Sequence, residues 1–216
     1  MSQTKRTLRK KITKRVRCGY LLSLPRDYRP RGKRWPLILF LHGAGQRGSD
    51  LELVKEHGVA KIVGQRPDFP FIVVSPQCPA DDWWTTDVLA ALLDEVETKY
   101  RVDKKRIYLT GLSMGGFGTW NLAMEQPHRF AALVPICGRG NPLLVHRIKH
   151  LPIWVFHGAK DQVVPLSNSI DMVRALRRHG AKPKFTIYPD AAHDSWTRTY
   201  ENPRLYEWML KFSRPS

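Results

Sequence analysis

The sequence has few cysteines and no long apolar segment. Its three cysteines, Cys18, Cys78 and Cys137, are odd in number and widely spaced, unlike a disulfide framework or a structural zinc site. No stretch approaches the roughly 18 consecutive apolar residues that suggest a membrane-spanning helix. The best apolar run near the N-terminus, residues 20–24, is too short for the core of a secretory signal. These absences lead us to expect a cytoplasmic protein.

Acidic residues are scarce relative to basic ones. The 216 residues include 36 Lys and Arg but only 19 Asp and Glu, which gives a formal net charge of +17. No strongly acidic cluster is present to recruit a cationic substrate, and no group of residues has metal-ligand spacing. We therefore predict neither a metal nor a cofactor.

Much of the positive charge lies at the start of the chain. Residues 1–17 contain eight Lys or Arg and no acid, and we interpret residues 1–15 as a basic arm ahead of one folded domain at 16–216. Such an arm is typical of segments that bind nucleic acid or anionic lipid, and equally of solvated tails. It lacks interleaved aromatics, and no nucleic-acid-binding module is recognisable, so nucleic acid is not an expected partner. The oligomeric state is not indicated.

Short apolar runs alternate with longer segments of helical periodicity. The runs are continuous, as expected for strands covered on both faces, and lie at 37–41, 71–74, 107–109, 133–136, 153–156 and 185–188. Helical periodicity lies at 51–63, 87–100, 114–125, 166–179 and 203–212. Residues 16–24 are interpreted as an antiparallel edge strand. The alternation predicts an α/β fold with a mostly parallel central sheet, helices on both faces, and a ligand site at the carboxyl ends of the strands.

One strand-to-helix loop carries a G-x-S-x-G pattern. Gly111-Leu-Ser113-Met-Gly115 follows the strand at 106–110 and precedes a helical segment, which is the context of the nucleophile in the α/β-hydrolase fold. There the serine occupies a strained turn that exposes its hydroxyl, and the two glycines avoid Cβ atoms that would clash. The alternative is a glycine-rich turn without chemistry. We predict Ser113 as a nucleophile.

A serine hydroxyl needs a base to take its proton, and in this fold the chain order is Ser, acid, His. Asp161 follows the predicted strand at 153–156, and His193 follows the strand at 185–188. We predict His193 as the general base and Asp161 as the acid that fixes its tautomer. Such a triad implies activity that falls as the base protonates, which for an imidazole is ordinarily near pH 6.5.

Other residues compete for these two roles. Asp190 and Asp194 flank His193, but they lie on the base's own loop, whereas the acid is expected after the preceding strand. His179 precedes Gly180 at a helix end, where a C-terminal cap is the simpler role. His157 precedes the acid and is predicted to pack in the loop.

The loop after the first parallel strand is rich in small residues, reading His-Gly-Ala-Gly at 42–45. In α/β-hydrolases this loop and the residue after the nucleophile each supply a backbone N–H to the oxyanion. We predict Ala44, with Gly43 as the alternative, and Met114 for these roles. A glycine-rich turn without chemistry is again the alternative interpretation.

The link between the strands at 133–136 and 153–156 is too short for a helical cap domain. The site is therefore predicted to be shallow and open, which argues against a lidded lipase. It suits short acyl chains or an ester on a bulky carrier. Trp84, with Trp83 as its alternative, and Trp196 are candidates for an aromatic substrate wall, and core packing is the alternative role of each.

The chain resembles the α/β-hydrolase superfamily over about residues 16–212. The matching segments are LHGAGQRG at 41–48, SPQCP at 75–79, GLSMGG at 111–116, HGAKDQVVP at 157–165 and HDSW at 193–196. Within that superfamily it looks like small bacterial carboxylesterases related to dienelactone hydrolases, feruloyl esterases and polyhydroxyalkanoate depolymerases. The resemblance implies hydrolysis of a small-molecule carboxylic ester by an uncapped catalytic domain.

The sequence departs from its relatives in two places. Dienelactone hydrolases usually carry a cysteine nucleophile. Because this sequence has Ser113 instead, the resemblance does not imply hydrolysis of lactones. The segment HGAG replaces the HGGG of hormone-sensitive-lipase relatives, so esters of tertiary alcohols are not implied. Two alternatives to an esterase stay open: a prolyl-oligopeptidase-like peptidase or amidase with the same triad, and a non-enzymatic basic binding protein on a hydrolase scaffold.

Overall fold

A computed structural model describes residues 3–66 and 68–215. Within these residues, one seven-stranded sheet has the order β1-β3-β2-β4-β5-β6-β7. Its strands are β1 (Tyr20–Ser23), β2 (Trp35–Leu41), β3 (Ile72–Pro76), β4 (Val102–Leu112), β5 (Ala132–Ile136), β6 (Trp154–Gly158) and β7 (Lys184–Tyr188). β1 pairs antiparallel with β3, and the other neighbours pair parallel. The mostly parallel sheet and the antiparallel edge strand are both confirmed.

Helices cover both faces of this sheet, as predicted. They are α1 (Gly58–Gln65), α2 (Thr86–Lys99), α3 (Met114–Glu125), α4 (Ser167–Arg178), α5 (Trp196–Glu201) and α6 (Pro203–Leu210). Alternate residues of β2 face opposite sides: Leu37 and Leu39 are buried with α2, α3 and α4, whereas Ile38 and Phe40 are buried with α1 and α6. A strand buried on both faces must be apolar at every position, which explains why its sequence does not alternate.

The segment predicted as one helix at 51–63 is two elements. A 3₁₀ helix covers Leu51–Glu56, and α1 begins after it at Gly58. Gly58 has a φ of +66°, and a Cβ built there would lie 2.2 Å from the ring of the buried Phe40. The chain therefore changes direction at a residue that only glycine fits, and apolar periodicity alone did not reveal this break.

No cap domain covers the sheet within the residues that the structure describes. The link between β5 and β6 holds a 3₁₀ helix, Pro142–Arg147, whose Val145 is buried in the core. The short link predicted between these two strands, too short for a helical cap domain, is thus confirmed.

The basic arm has no helix or strand between residues 3 and 15, and its side chains are exposed. Lys14 contacts the folded domain through an ion pair with Asp87, at 3.0 Å. The division into an arm at 1–15 and a domain at 16–216 stays a prediction. Within 3–66 and 68–215, no helix is both long enough and apolar enough to cross a bilayer.

Two substitutions in α1 test the break in the predicted helix. Gly58→Ala forces a left-handed alanine and a contact with Phe40, so we expect the free energy of unfolding to fall by about 2 to 5 kcal/mol. Gly64→Ala is the matched control, because a Cβ there meets nothing within 4 Å. It should be neutral or stabilising by up to about 1 kcal/mol. Urea unfolding of both variants measures this; equal stabilities would contradict the packing at Gly58.

Candidate active site

Ser113 lies between the last residue of β4 and the first residue of α3. Its φ is +52°, a left-handed value that is rare and strained for a non-glycine residue. Its backbone is held on both sides: its N–H donates to Ile136 O at 3.0 Å, and its C=O accepts from Phe117 N–H at 3.1 Å. The strained turn predicted for this serine is confirmed.

Two glycines make that turn possible. A Cβ on Gly111 would lie 2.3 Å from the carbonyl oxygen of Gly115, and a Cβ on Gly115 would lie 1.9 Å from that of Leu41. Both distances are far below van der Waals contact. The clash predicted for a side chain at either position is therefore confirmed, and the start of α3 lies directly against the end of β2.

Three side chains from different loops meet at the carboxyl edge of the sheet. His193 Nε2 is 3.0 Å from Ser113 Oγ, and His193 Nδ1 is 2.7 Å from Asp161 Oδ2. Asp161 is fully buried at its side chain, whereas His193 is 21% exposed. Because the carboxylate only accepts, it places the proton of a neutral imidazole on Nδ1 and leaves Nε2 free to accept from the serine hydroxyl. The three residues predicted from chain order are thus brought together.

The loops that carry the acid and the base cross at a glycine that sequence reasoning missed. A Cβ on Gly158, the last residue of β6, would lie 2.0 Å from Ala192 O and 2.6 Å from Ala191 O. Lys160 N–H also donates to Ala191 O at 2.9 Å. The signal was present in the sequence as a glycine at the end of a strand, immediately before the loop of the acid.

The competing acids and histidine are engaged elsewhere. Asp190 forms two hydrogen bonds with Arg198, which lower its pKa to about 2. Asp194 accepts from both the N–H and the hydroxyl of Thr197 at 2.9 Å, in the first turn of α5. His179 is the C-cap of α4, as its sequence position indicates. None of these three residues supplies the acceptor of His193 Nδ1, which is Asp161.

The loop after β2 lies against Ser113. A Cβ built on Gly43 would lie 3.6 Å from Ser113 Cβ. Ala44 is the first residue of a 3₁₀ helix, Ala44–Gln46, and Met114 is the first residue of α3. The first N–H groups of a helix have no acceptor within it. Both backbones are therefore suited to donate to an oxyanion, and this role stays a prediction.

Comparison with known proteins places these residues in a family. A model of the dienelactone hydrolase family matches residues 80–204, more than half of the chain and a range that includes Ser113, Asp161 and His193. The chain belongs to the dienelactone hydrolase family. A probable feruloyl esterase C of Aspergillus niger is 26% identical over 195 residues, covering 83% of this chain and 68% of the relative.

Two further relatives of this family member are longer than it. The bifunctional acetylxylan esterase/xylanase XynS20E of Neocallimastix patriciarum is 26% identical over 186 residues, covering 80% of this chain and 26% of that protein. A solved structure described as a thermostable esterase is 38% identical with a TM-score of 0.79, covering 92% of this chain and 60% of the other. The chain therefore spans less than two thirds of either protein. The α/β-hydrolase fold predicted from the sequence is confirmed.

A buried histidine supports the loop after β2 in this dienelactone hydrolase family member. His42 Nδ1 is 2.6 Å from Gly43 O, and its Nε2 accepts from Cys78 N–H at 3.0 Å. Trp84 Nε1–H donates to His42 O at 3.1 Å. Trp84 thus braces the loop, whereas Trp83 is 57% exposed and packs against Phe117. Contact between substrate and either tryptophan stays a prediction.

Trp196 packs against His193. Its ring meets that of His193 edge to face at a centroid distance of 5.1 Å, and it also lies 5.8 Å from the ring of His57. Aromatic pairs in this geometry are attractive and restrict each other's orientation. Trp196 therefore limits the rotation of His193, and its predicted contact with substrate stays a prediction.

The described residues contain one cluster of potential metal ligands, which shares two members with the Ser–His–Asp contact. The ligand atoms of Cys137, Asp161 and His193 lie within 4.8 Å of one another. Asp161 and His193 already bond to each other, and burial raises the pKa of Cys137 to about 12. A protonated thiol is a poor metal ligand, so the cluster gives no reason to assign a metal to this chain.

The buried His42 makes stability depend on pH. Burial lowers its pKa to about 4, so the folded form stays neutral where the unfolded histidine protonates. Stability should therefore be lost as pH falls from about 6.5 through about 4, by about 3 kcal/mol in total. We expect His42→Gln to have a shallower fall in unfolding free energy over this window. The exposed His128→Gln is the control; a wild-type slope in His42→Gln would contradict the assignment.

Proposed function

We propose that this chain is a serine carboxylesterase that acts through an acyl-enzyme on Ser113. The observation that carries the proposal is the unbroken chain of contacts from Ser113 Oγ through His193 to the buried carboxylate of Asp161. Membership of the dienelactone hydrolase family and relatives named as esterases support an ester as the substrate.

The proposed reaction has two halves. His193 Nε2 takes the proton of Ser113 as Oγ attacks the ester carbonyl, and the N–H groups of Met114 and Ala44 donate to the resulting oxyanion. The intermediate collapses, the bond to the alcohol breaks, and His193 returns the proton to the departing oxygen. A water molecule then attacks the acyl carbon as His193 takes its proton, the bond from that carbon to Ser113 Oγ breaks, and His193 returns the proton to Oγ. The products are the carboxylic acid and free Ser113.

A groove whose lining includes Phe117, one helical turn after Ser113, supports a polar carrier for the ester. It has a volume of about 610 Å³. Its remaining lining residues are Asn121, Arg139, Gly140, Asn141, Pro142, Asn168 and Asp171. One aromatic ring and several amides suit a hydroxylated molecule such as a carbohydrate. Relatives named as a feruloyl esterase and an acetylxylan esterase agree with that class.

The nucleophile is tested with p-nitrophenyl esters of increasing acyl length. We expect wild-type turnover of short acyl chains, and a fall in kcat on the order of 10⁶ in Ser113→Ala, as in subtilisin without its nucleophile. The exposed Ser213→Ala, near the opposite end of β4, is the matched control and should keep wild-type activity. Turnover unchanged in Ser113→Ala would remove this residue from the mechanism. Turnover of peptide amides but not of esters would favour a peptidase.

The groove is tested by a double variant, Asn121→Ala with Asp171→Ala. Both side chains are exposed and line the groove. Losing two hydrogen-bonding groups should raise KM for a feruloylated oligosaccharide about 10-fold, at roughly 0.7 kcal/mol for each group. Methyl ferulate, which does not extend into the groove, is the internal control. Equal KM changes for both esters, or no change, would place the carrier elsewhere.

A further inference from the structure

A second histidine lies against the acid of the proposed triad. His157 is the penultimate residue of β6, is fully buried, and uses both ring nitrogens. Its Nδ1 is 2.7 Å from Ser169 Oγ, and its Nε2 is 2.8 Å from Val164 O. The same Nε2 is 3.2 Å from Asp161 Oδ2. Among the described residues, the polar contacts of this ring are therefore with Asp161, with the turn that follows it and with the serine of α4.

The contacts define the tautomer of His157. A carbonyl and a carboxylate can only accept, so the hydrogen is on Nε2 and is directed at Val164 O, beside the acid. Burial lowers the pKa of His157, so the ring is neutral and its Nδ1 accepts a hydrogen bond. The hydroxyl of Ser169, itself fully buried, is the donor. Ser169 thereby holds Nδ1, while the acceptors Val164 O and Asp161 Oδ2 place the hydrogen on Nε2.

Val164 links this ring to the carboxylate. Its C=O accepts from His157, while its own N–H donates to Asp161 Oδ1 at 2.9 Å. Val163 N–H donates to the same oxygen at 2.9 Å. With Oδ1 held by two backbone groups, Oδ2 is the oxygen left to face His193. A shift of the turn would therefore rotate the carboxylate away from the base.

We propose that His157 is a positioning residue for ester hydrolysis. Held in one tautomer by Val164 O and Asp161 Oδ2, and held in place by Ser169 at its other nitrogen, it fixes the turn of Asp161 so that Oδ2 points at Nδ1 of His193. It has no exposed surface and touches no substrate, so it acts only through the acid. This inference rests on the proposed function. A hydrophobic residue of the same volume would fill this space without the desolvation cost of a buried imidazole ring. Packing alone therefore does not explain why a histidine occupies this position.

The test compares two replacements of His157. His157→Leu fills the space but removes the N–H, whereas His157→Gln keeps an amide N–H near the position of Nε2. In His157→Leu we expect kcat to fall about 10- to 100-fold, the cost of a small misplacement near the reacting groups. KM should not change. The acid limb of kcat/KM should move to lower pH, because a loosened Asp161 stabilises the protonated His193 less. His157→Gln should recover most of the kcat.

Rates are expressed per active site, titrated with a serine-reactive phosphonate, so that unfolded protein does not count. Wild-type kcat and an unmoved acid limb in His157→Leu would overturn the inference. Equal losses in both variants with an unmoved limb would also overturn it, since that pattern is packing alone. If His157→Leu does not fold, Ser169→Ala decides: a lower kcat with a moved limb supports the role, and an unchanged profile overturns it.

The Ser113→Ala variant separates this inference from the proposed function. If Ser113→Ala retains turnover, the serine esterase mechanism falls and His157 has no acid to position. If Ser113→Ala is inactive while His157→Leu has wild-type kinetics, the esterase stands and only the role of His157 is lost.

Discussion

The backbone at the start of α3 packs closely against the ends of β2 and β5, and the proposed site depends on this packing. A Cβ on Gly115 would meet the carbonyl oxygen of Leu41 in β2, and one on Gly116 would lie 2.6 Å from that of Ile136 in β5. The same packing forces Ser113 into its left-handed conformation. The hydrogen bond from its N–H to Ile136 O stabilises that strained conformation. Backbone proximity, rather than any side chain, is what aims the hydroxyl at His193.

Asp161, the proposed acid, is positioned in a different way from Ser113. The glycines around Ser113 lack side chains and so let the backbone pack closely, whereas the carboxylate of Asp161 is held by N–H donors of Val163, Val164 and His193. A buried carboxylate without water must find all of its partners in the protein, because an unpaired charge there is costly. The contacts that satisfy the carboxylate oxygens of Asp161 are therefore the same contacts that fix the direction of its side chain.

Much of the fold was predictable from the sequence, because each strand of a parallel sheet with helices on both faces is a continuous apolar run. All six continuous apolar runs are strands, and β2 shows why, since both of its faces are buried. The break at Gly58 was not predictable, because it depends on contact with the ring of Phe40 from another element.

Chain order led to Ser113, Asp161 and His193, since loops at one sheet edge must converge. The supporting residues are different. The use of His157 depends on Ser169 and on a carbonyl in the turn at Val164, and neither has a pattern that a single sequence displays. Likewise, Trp84 and Trp83 are adjacent in the chain, yet one braces the loop after β2 and the other is exposed. Only the path of the backbone decides which is which.

The short link between β5 and β6 bears on how the proposed acyl-enzyme is resolved. Residues 137–153 form a 3₁₀ helix and loops instead of a cap, and Ser113 is half-buried. We therefore expect water to reach the proposed acyl-enzyme from this side without a binding site of its own. Because a competing alcohol would have to be bound to displace water, we expect hydrolysis in preference to transfer of the acyl group to a second acceptor.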